Sequence, residues 1–333
     1  MLRPGVYVTR TIPERALKVL QEVANVKMRR EEMPPSKEEI IQQISDVDGL
    51  LCLLTDKIDS EVIEAGKNLK VISNYAVGFD NIDVETATRH GIYVTNTPGV
   101  LTETTADFTW ALLMAVARRI VEADKYVRQG FWKVAWAPMM MLGKDIYGKT
   151  LGILGLGRIG AAVARRARGF NTRILYHSRT RKVDLEKELG VEYADFETLL
   201  RDSDFVTIHL PLTNETFHMI GERELSLMKK TAYLVNTSRG SVVDQKALYY
   251  ALKEGKIAGA ALDVFEQEPV NLSDPLLQLE NVVIAPHIAS ASVETRTKMG
   301  VMAAENLVSV LKGRIPPNLV NADVLRIRPL EQN

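Results

Sequence analysis

Leu151-Gly152-Ile153-Leu154-Gly155-Leu156-Gly157-Arg158-Ile159-Gly160 joins a short apolar strand to a glycine turn and the start of a helix. Leu151–Leu154 predicts the strand, and a helical pattern runs from Ile159 to Arg168. In a strand–turn–helix unit, Gly155 permits the tight turn and Gly157 lets backbone approach a pyrophosphate. Gly160 lets helix and strand pack closely, and the helix N-terminus attracts phosphate charge. Glycine turns are common, so the spacing GxGxxG is weak in isolation. Here it lies inside a long series of alternating strands and helices, which makes it a dinucleotide site.

Downstream, Arg173–Tyr176, Phe205–Leu210, Tyr233–Asn236, Ala260–Val264 and Val282–Ala285 predict further strands. Upstream, Val6–Thr9, Leu50–Leu54, Lys70–Ala76 and Tyr93–Asn96 do the same, separated by helical stretches at Pro13–Val23, Lys37–Ile44 and Ser60–Ala65. Near-continuous apolar strands alternating with helices indicate α/β architecture with parallel sheets covered on both faces. The chain's 333 residues suit two doubly wound domains. Asn96-Thr97-Pro98-Gly99 ends the first strand series, and a long helix is expected over Thr102–Arg119. The last helix, Val293–Leu311, can return to the front domain. This gives one domain of residues 1–98 plus 290–333 and a second of 99–289. Residues from about 122 to 145 fit neither sheet and hold Phe131, Trp132, Trp136 and Met139–Met141. They are either a satellite core or a protein–protein contact.

The charge balance is 42 basic against 42 acidic side chains, net zero, which argues against nucleic-acid partners. The one cysteine, Cys52, excludes an intramolecular disulfide and fits a reducing, cytoplasmic setting. Met1–Arg10 lacks a signal-peptide apolar stretch, and the longest apolar run, Ala111–Ala117, is too short for a membrane span. The five His stand far apart, without metal-ligand spacing, so no metal is expected.

An NAD site usually carries Asp or Glu about 20 residues past the glycines, on the ribose hydroxyls. After Arg173–Tyr176 this chain instead reads His177-Ser178-Arg179-Thr180-Arg181, with no acid until Asp184. Ser178, Arg179, Thr180 and Arg181 offer hydrogen bonds and cations to a 2′-phosphate, which predicts NADPH as preferred cofactor with NADH possible. The alternative is an ordinary solvated basic turn. Three further polar residues follow strands: Arg239 after Leu234–Ser238, Glu268 in Asp263–Pro269, and His287 after Ile284–Pro286. Strand C-termini are where α/β crevices bind ligands. Singly, each could be an ion-pair residue, a loop acid or a backbone-bonded histidine.

Taken together, GLGRIG (155–160), NTSRG (236–240), DVFEQEP (263–269) and APHIAS (285–290) resemble the D-2-hydroxyacid dehydrogenase family. YAVGFDN (75–81), NTPGVLTETTAD (96–107) and PPNLVN (316–321) extend the resemblance over nearly the whole chain. Within the family it is most like archaeal-type glyoxylate reductases and glyoxylate/hydroxypyruvate reductases. The resemblance implies a Rossmann-like cofactor domain and a flavodoxin-like substrate domain with the active site in a cleft between them. It implies His287 as proton donor, Glu268 as its carboxylate partner, and Arg239 as clamp on the substrate carboxylate. On the cofactor side it implies Leu156, Arg158 and Ile159 beside the glycines, with Thr105, Leu210, Pro211, Thr237, Ser238, Asp263, Ile288 and Ala289. Thr105 could equally be a helix N-terminal cap. For substrate it implies the backbone N–H groups of Val77 and Gly78. Leu53 is either a substrate-facing residue or a core leucine. Trp136, with Pro138 after it, resembles the segment that reaches the partner subunit's active site, which makes residues 122–145 a dimerisation arm and the protein a homodimer. The expected activity is NAD(P)H-dependent reduction of glyoxylate or hydroxypyruvate. Rival expectations are phosphite or a bulkier D-hydroxyacid as substrate, and a dinucleotide-sensing corepressor on the same fold. The end soon after Asn321 argues against an appended regulatory domain.

Overall fold

A computed structural model describes residues 3–330. The chain opens with β1 (Gly5–Val8), α1 (Glu14–Val23), β2 (Asn25–Met28), α2 (Lys37–Ile44), β3 (Gly49–Cys52), α3 (Ser60–Ala65), β4 (Val71–Asn74), α4 (Val84–Arg89) and β5 (Tyr93–Thr95). Two helices follow, α5 (Thr102–Ala117) and α6 (Ile120–Arg128), and then β6 (Thr150–Leu154), α7 (Arg158–Ala167), β7 (Arg173–His177), α8 (Val183–Leu189), β8 (Glu192–Tyr193) and α9 (Phe196–Asp202). Next come β9 (Phe205–Ile208), α10 (Glu222–Leu227), β10 (Tyr233–Asn236), α11 (Gln245–Lys253), β11 (Gly259–Leu262) and β12 (Val282–Ile284). The described chain closes with α12 (Val293–Leu311) and α13 (Val324–Ile327). It divides into two compact units: the chain up to Leu101 together with the part from Ala291 onward, and Thr102–Ser290.

The first unit holds a parallel sheet in the order β2-β1-β3-β4-β5, the flavodoxin-like winding. Alternation along β1 sends Val6 and Val8 to a core with Leu20, Met299, Ala303 and Leu307, and Tyr7 to a core with Ile40, Ile44 and Ile72 on the other face. Helix α12 packs on α1 and on the sheet. Gly300 allows that approach, since a Cβ there would stand 3.0 Å from the Ala16 side chain, and Ser73 Oγ donates to the Ala303 carbonyl at 2.8 Å.

The second unit holds seven parallel strands in the order β12-β11-β10-β9-β6-β7-β8. From β6 the chain winds outward through β7 and β8, then returns to β9 on the other side. The reversal between β6 and β9 is the switch point at which a Rossmann sheet opens its ligand crevice. Leu151, Ile153, Phe205 and Val235 pack under α5 and α7, whereas Leu154, Val206, Ile208 and Leu234 pack under α9 to α11. The Trp110 indole ties α5 to α7 by donating to the Val163 carbonyl at 3.1 Å. Among the described residues no helix is long and apolar enough to cross a membrane.

Some elements depart from the sequence expectation. The edge strands β2 and β8 are partly exposed and lack the apolar runs that mark the buried strands. The helix expected over Thr102–Arg119 stops at Ala117, because Arg119 turns left-handed at φ 55° and the chain restarts as α6. The first part of the segment from 122 is therefore helical, up to Arg128.

Candidate active site

The glycine turn leaves β6 at the switch point. Gly155 takes φ +94°, and a Cβ on it would stand 2.6 Å from the His209 carbonyl oxygen, so no larger residue fits. A Cβ on Gly160 would lie 2.1 Å from the Gly155 carbonyl oxygen, so this glycine sets how closely α7 approaches the turn. Gly157 is different: it caps α7, is exposed, and nothing lies within 4 Å of its Cβ position. An open face of this kind at a helix N-terminus suits a pyrophosphate, whose charge backbone amides and the positive helix end attract. No acid occupies the first turn of α7, and Arg158 and Ile159 begin the helix. The residues thus fit a dinucleotide. The Leu156 amide donates to Ser178 Oγ at 2.8 Å, which couples the glycine turn to the end of β7.

Arg239, Glu268 and His287 follow β10, β11 and β12, three neighbouring strands, on the same sheet edge. His287 Nδ1 and Glu268 Oε2 stand 2.7 Å apart, with side chains 27% and 29% exposed. Glu268 Oε1 accepts the Phe265 amide at 3.0 Å, so both carboxylate oxygens are directed. Burial pushes the Glu268 carboxyl up, but the His287 hydrogen bond and charge, the Phe265 amide and the Arg239 charge outweigh it and hold the group below its ordinary value. His287 itself is left-handed at φ 56°, a conformation costing on the order of 1 kcal/mol for a residue with a Cβ. Asp263 holds it there. The fully buried Asp263 carboxylate accepts the Ile288 and Ala289 amides, each at 2.8 Å, and its carbonyl accepts the His287 amide at 2.8 Å. Burial raises the Asp263 pKa despite these bonds.

The family model for the NAD-binding domain of D-isomer specific 2-hydroxyacid dehydrogenases matches residues 110–289. A glyoxylate reductase of Korarchaeum cryptofilum is 65% identical over 328 residues, covering 98% of this chain and 99% of that one. The chain belongs to the D-isomer specific 2-hydroxyacid dehydrogenase family. It is an oxidoreductase that uses a nicotinamide dinucleotide. A second glyoxylate reductase, from Thermococcus litoralis, is 56% identical over 98% of this chain and 100% of its own length. Among solved structures, the NADPH-dependent glyoxylate/hydroxypyruvate reductase of Sinorhizobium meliloti, in complex with NADP and malonate, is 34% identical with a TM-score of 0.86, covering 100% of this chain and 99% of that one.

In this dehydrogenase, Thr105 lies inside α5, which begins at Thr102, so it is not the helix cap. Its carbonyl accepts Thr109 Oγ1 at 2.8 Å, and Thr109 meets Thr237 Oγ1 at 2.8 Å, which joins α5 to the end of β10. Leu210 and Pro211 follow β9, and Leu210 Cδ2 would stand 3.0 Å from a Cβ on Gly155. Arg179 and Thr180 are exposed at the turn after β7. Arg181, read above as a second cation for a 2′-phosphate, is instead bonded to Glu186 through Nε at 2.8 Å and Nη2 at 2.9 Å. In the other unit, Leu53 lies one residue past β3 and donates its amide to Asp56 at 2.7 Å. Asn96 Nδ2 donates to the Val77 carbonyl at 2.7 Å and Asn74 Nδ2 to the Gly78 carbonyl at 2.8 Å. Because C=O and N–H oppose one another across a trans peptide, the Gly78 amide points away from Asn96. Trp136 is 74% exposed.

Two site residues escape a reading of the sequence. Buried Asn236 shapes the Arg239 turn: Nδ2 donates to the Arg239 carbonyl at 2.9 Å, and Oδ1 accepts the Ser238 amide at 3.0 Å and Ser238 Oγ at 2.9 Å. Gly240 lets that turn rest on the Glu268 loop, for a Cβ there would fall 1.9 Å from the Phe265 carbonyl carbon. Both stand within the NTSRG stretch. Asparagine at a strand end followed by glycine was the signal available; Asn236 bonds within its own turn, whereas Gly240 meets Phe265 of another loop.

Proposed function

We propose that this dehydrogenase reduces glyoxylate, and hydroxypyruvate beside it, to the 2-hydroxyacid, with NADPH preferred over NADH. The observation that carries the reading is the directed His287–Glu268 pair, 2.7 Å apart, on the sheet edge that also holds Arg239 and the glycine turn. A 2-oxoacid needs its carboxylate fixed, a hydride at the carbonyl carbon and a proton at the carbonyl oxygen. The bound nicotinamide supplies the hydride. With Nδ1 committed to Glu268, His287 gives the proton from Nε2, and Glu268 stabilises the imidazolium before transfer. Arg239 holds the carboxylate and polarises the keto oxygen, a task suited to a planar, permanently charged donor. The sequence resemblance supports a substrate role for Val77, Gly78 and Leu53 and a nicotinamide-side role for Asp263, Ile288 and Ala289. The names of two relatives favour glyoxylate.

For NADPH, the support is the exposed Arg179 on a turn without an acid, together with the NADP bound to the S. meliloti relative. For a homodimer working in the cytoplasm, the support is the exposed apolar segment around Trp136 and the single, buried, unpaired Cys52. Loss of nicotinamide absorbance with NADPH or NADH and a panel of 2-oxoacids tests the reading. Turnover highest with glyoxylate or hydroxypyruvate and NADPH is the expected result. No oxidation with any oxoacid overturns the substrate assignment, and a higher kcat/KM with NADH overturns the cofactor preference.

A further inference from the structure

A carboxylate does reach the turn after β7, delivered from the next helix. Glu186, at the middle of α8, reaches back to β7. Its Oε1 accepts the Tyr176 hydroxyl at 2.6 Å, and that hydroxyl oxygen accepts the Lys182 amide at 2.7 Å. Both oxygens of Glu186 are then covered by the Arg181 guanidinium, at 2.8 and 2.9 Å. The guanidinium also lies over the Tyr193 ring, 5.9 Å from its centroid. Arg181 and Tyr176 hold the Glu186 carboxyl down to about 2, so it is ionised at any working pH.

This geometry bears on cofactor choice. A carboxylate beside the end of this strand is the feature with which an NAD site binds ribose hydroxyls and repels a 2′-phosphate. Here the carboxylate is present, but a bidentate pair neutralises it. An arginine that commits its Nε and one Nη2 donor, and its charge, to Glu186 is also a weaker phosphate ligand than a free one.

We propose that the Arg181–Glu186 pair is a specificity device in which Arg181 acts as an electrostatic mask. With the mask in place the turn admits a 2′-phosphate, which Arg179 meets. Without it, Glu186 keeps the Tyr176 hydroxyl but loses its counter-charge, and this carboxylate near the ribose rejects the phosphate. Arg181 is thereby a positioning and screening residue rather than a phosphate ligand. The proposal rests on the NADPH reading above.

Calorimetric titration with adenosine 2′,5′-bisphosphate and with AMP, which differ only by the 2′-phosphate, tests it without turnover. Arg181→Ala is expected to weaken the bisphosphate relative to AMP by about tenfold, equivalent to about 1.4 kcal/mol. Removing the second charge, in Arg181→Ala/Glu186→Gln, is expected to restore discrimination to within about threefold of the unmodified chain, because no carboxylate is left to repel. Recovery in the double variant supports masking. A double variant as weak as Arg181→Ala overturns it, since the phosphate then depends on Arg181 directly. Arg181→Gln, alone and with Glu186→Gln, gives the same comparison if the alanine variant loses its thermal transition. An unmodified chain that binds AMP as tightly as the bisphosphate overturns the NADPH reading, and the mask with it.

Discussion

In the proposed reaction His287 gives the proton, and its surroundings favour that role more than its identity does. The left-handed backbone at φ 56° persists because Asp263 ties the three amides of residues 287–289, while Glu268 takes Nδ1. His287→Gln is expected to lower kcat by at least about 10²-fold with the dinucleotide still bound, because proton transfer from a positioned acid is worth that much. Near-normal turnover in stopped-flow assays sinks the assignment. Another histidine behaves in the opposite way. Burial alone takes His209 down to about 3 from the ordinary 6.5, and its Nε2 is out of solvent with no hydrogen-bond partner among the described residues. The unfolded chain takes up this proton as pH falls through its ordinary value, but the folded chain does so only near the depressed one. Stability is therefore present above that window and lost through it, at up to about 1.4 kcal/mol per pH unit. His209→Gln is expected to flatten the decline in Tm between pH 6.5 and pH 3. Parallel Tm curves for the two proteins tell against the burial argument.

At the scale of the element, the turn from β6 into α7 divides its glycines by task. Gly160 faces the Gly155 carbonyl at 2.1 Å from its Cβ position, and Gly160→Ala must push α7 off the sheet. Overpacking of that kind costs about 1–3 kcal/mol, so Tm falls even without cofactor. Gly157 has open space and an ordinary φ of −86°. Gly157→Ala is expected to leave the Tm of the cofactor-free protein unchanged while weakening dinucleotide binding in fluorescence titrations. Equal affinity in that variant means that the open face is not the pyrophosphate seat. Local spacing in residues 151–160 marked the turn, because the positive φ of Gly155, the open helix cap at Gly157 and the contact of Gly160 with the Gly155 carbonyl all arise within one strand–turn–helix unit. Arg181 could not be assigned in that way. Whether it meets a phosphate or Glu186 depends on how α8 packs back against β7, and nothing in the order of residues 177–181 says so.

At the scale of the whole molecule, one segment concentrates exposed apolar side chains, while others such as Leu272 and Val293 stand singly elsewhere. Phe131, Trp132, Val134, Trp136, Met139 and Leu142 are all more than half exposed, an arrangement that a second copy would remove from water. The expected mass by light scattering at micromolar concentration is twice that of the chain, and Trp132→Ser/Trp136→Ser is expected to shift it toward the monomer. A monomeric mass for the unmodified protein refutes the dimer. The class of fold followed from residue order, since near-continuous apolar strands alternating with helices can bury both faces only as parallel sheets. Arg239, Glu268 and His287 were legible as candidates because each ends or follows such a strand, and parallel strands bring their carboxyl ends to one edge. Folding itself supplied the rest. The partners of Asp263 and the contact of Gly240 with Phe265 join groups on separate loops, and the cover of Glu186 by Arg181 joins a turn to a helix. Periodicity and spacing report what a segment does along its own axis, whereas these contacts depend on packing between segments, where tenths of an ångström decide which partner a side chain meets.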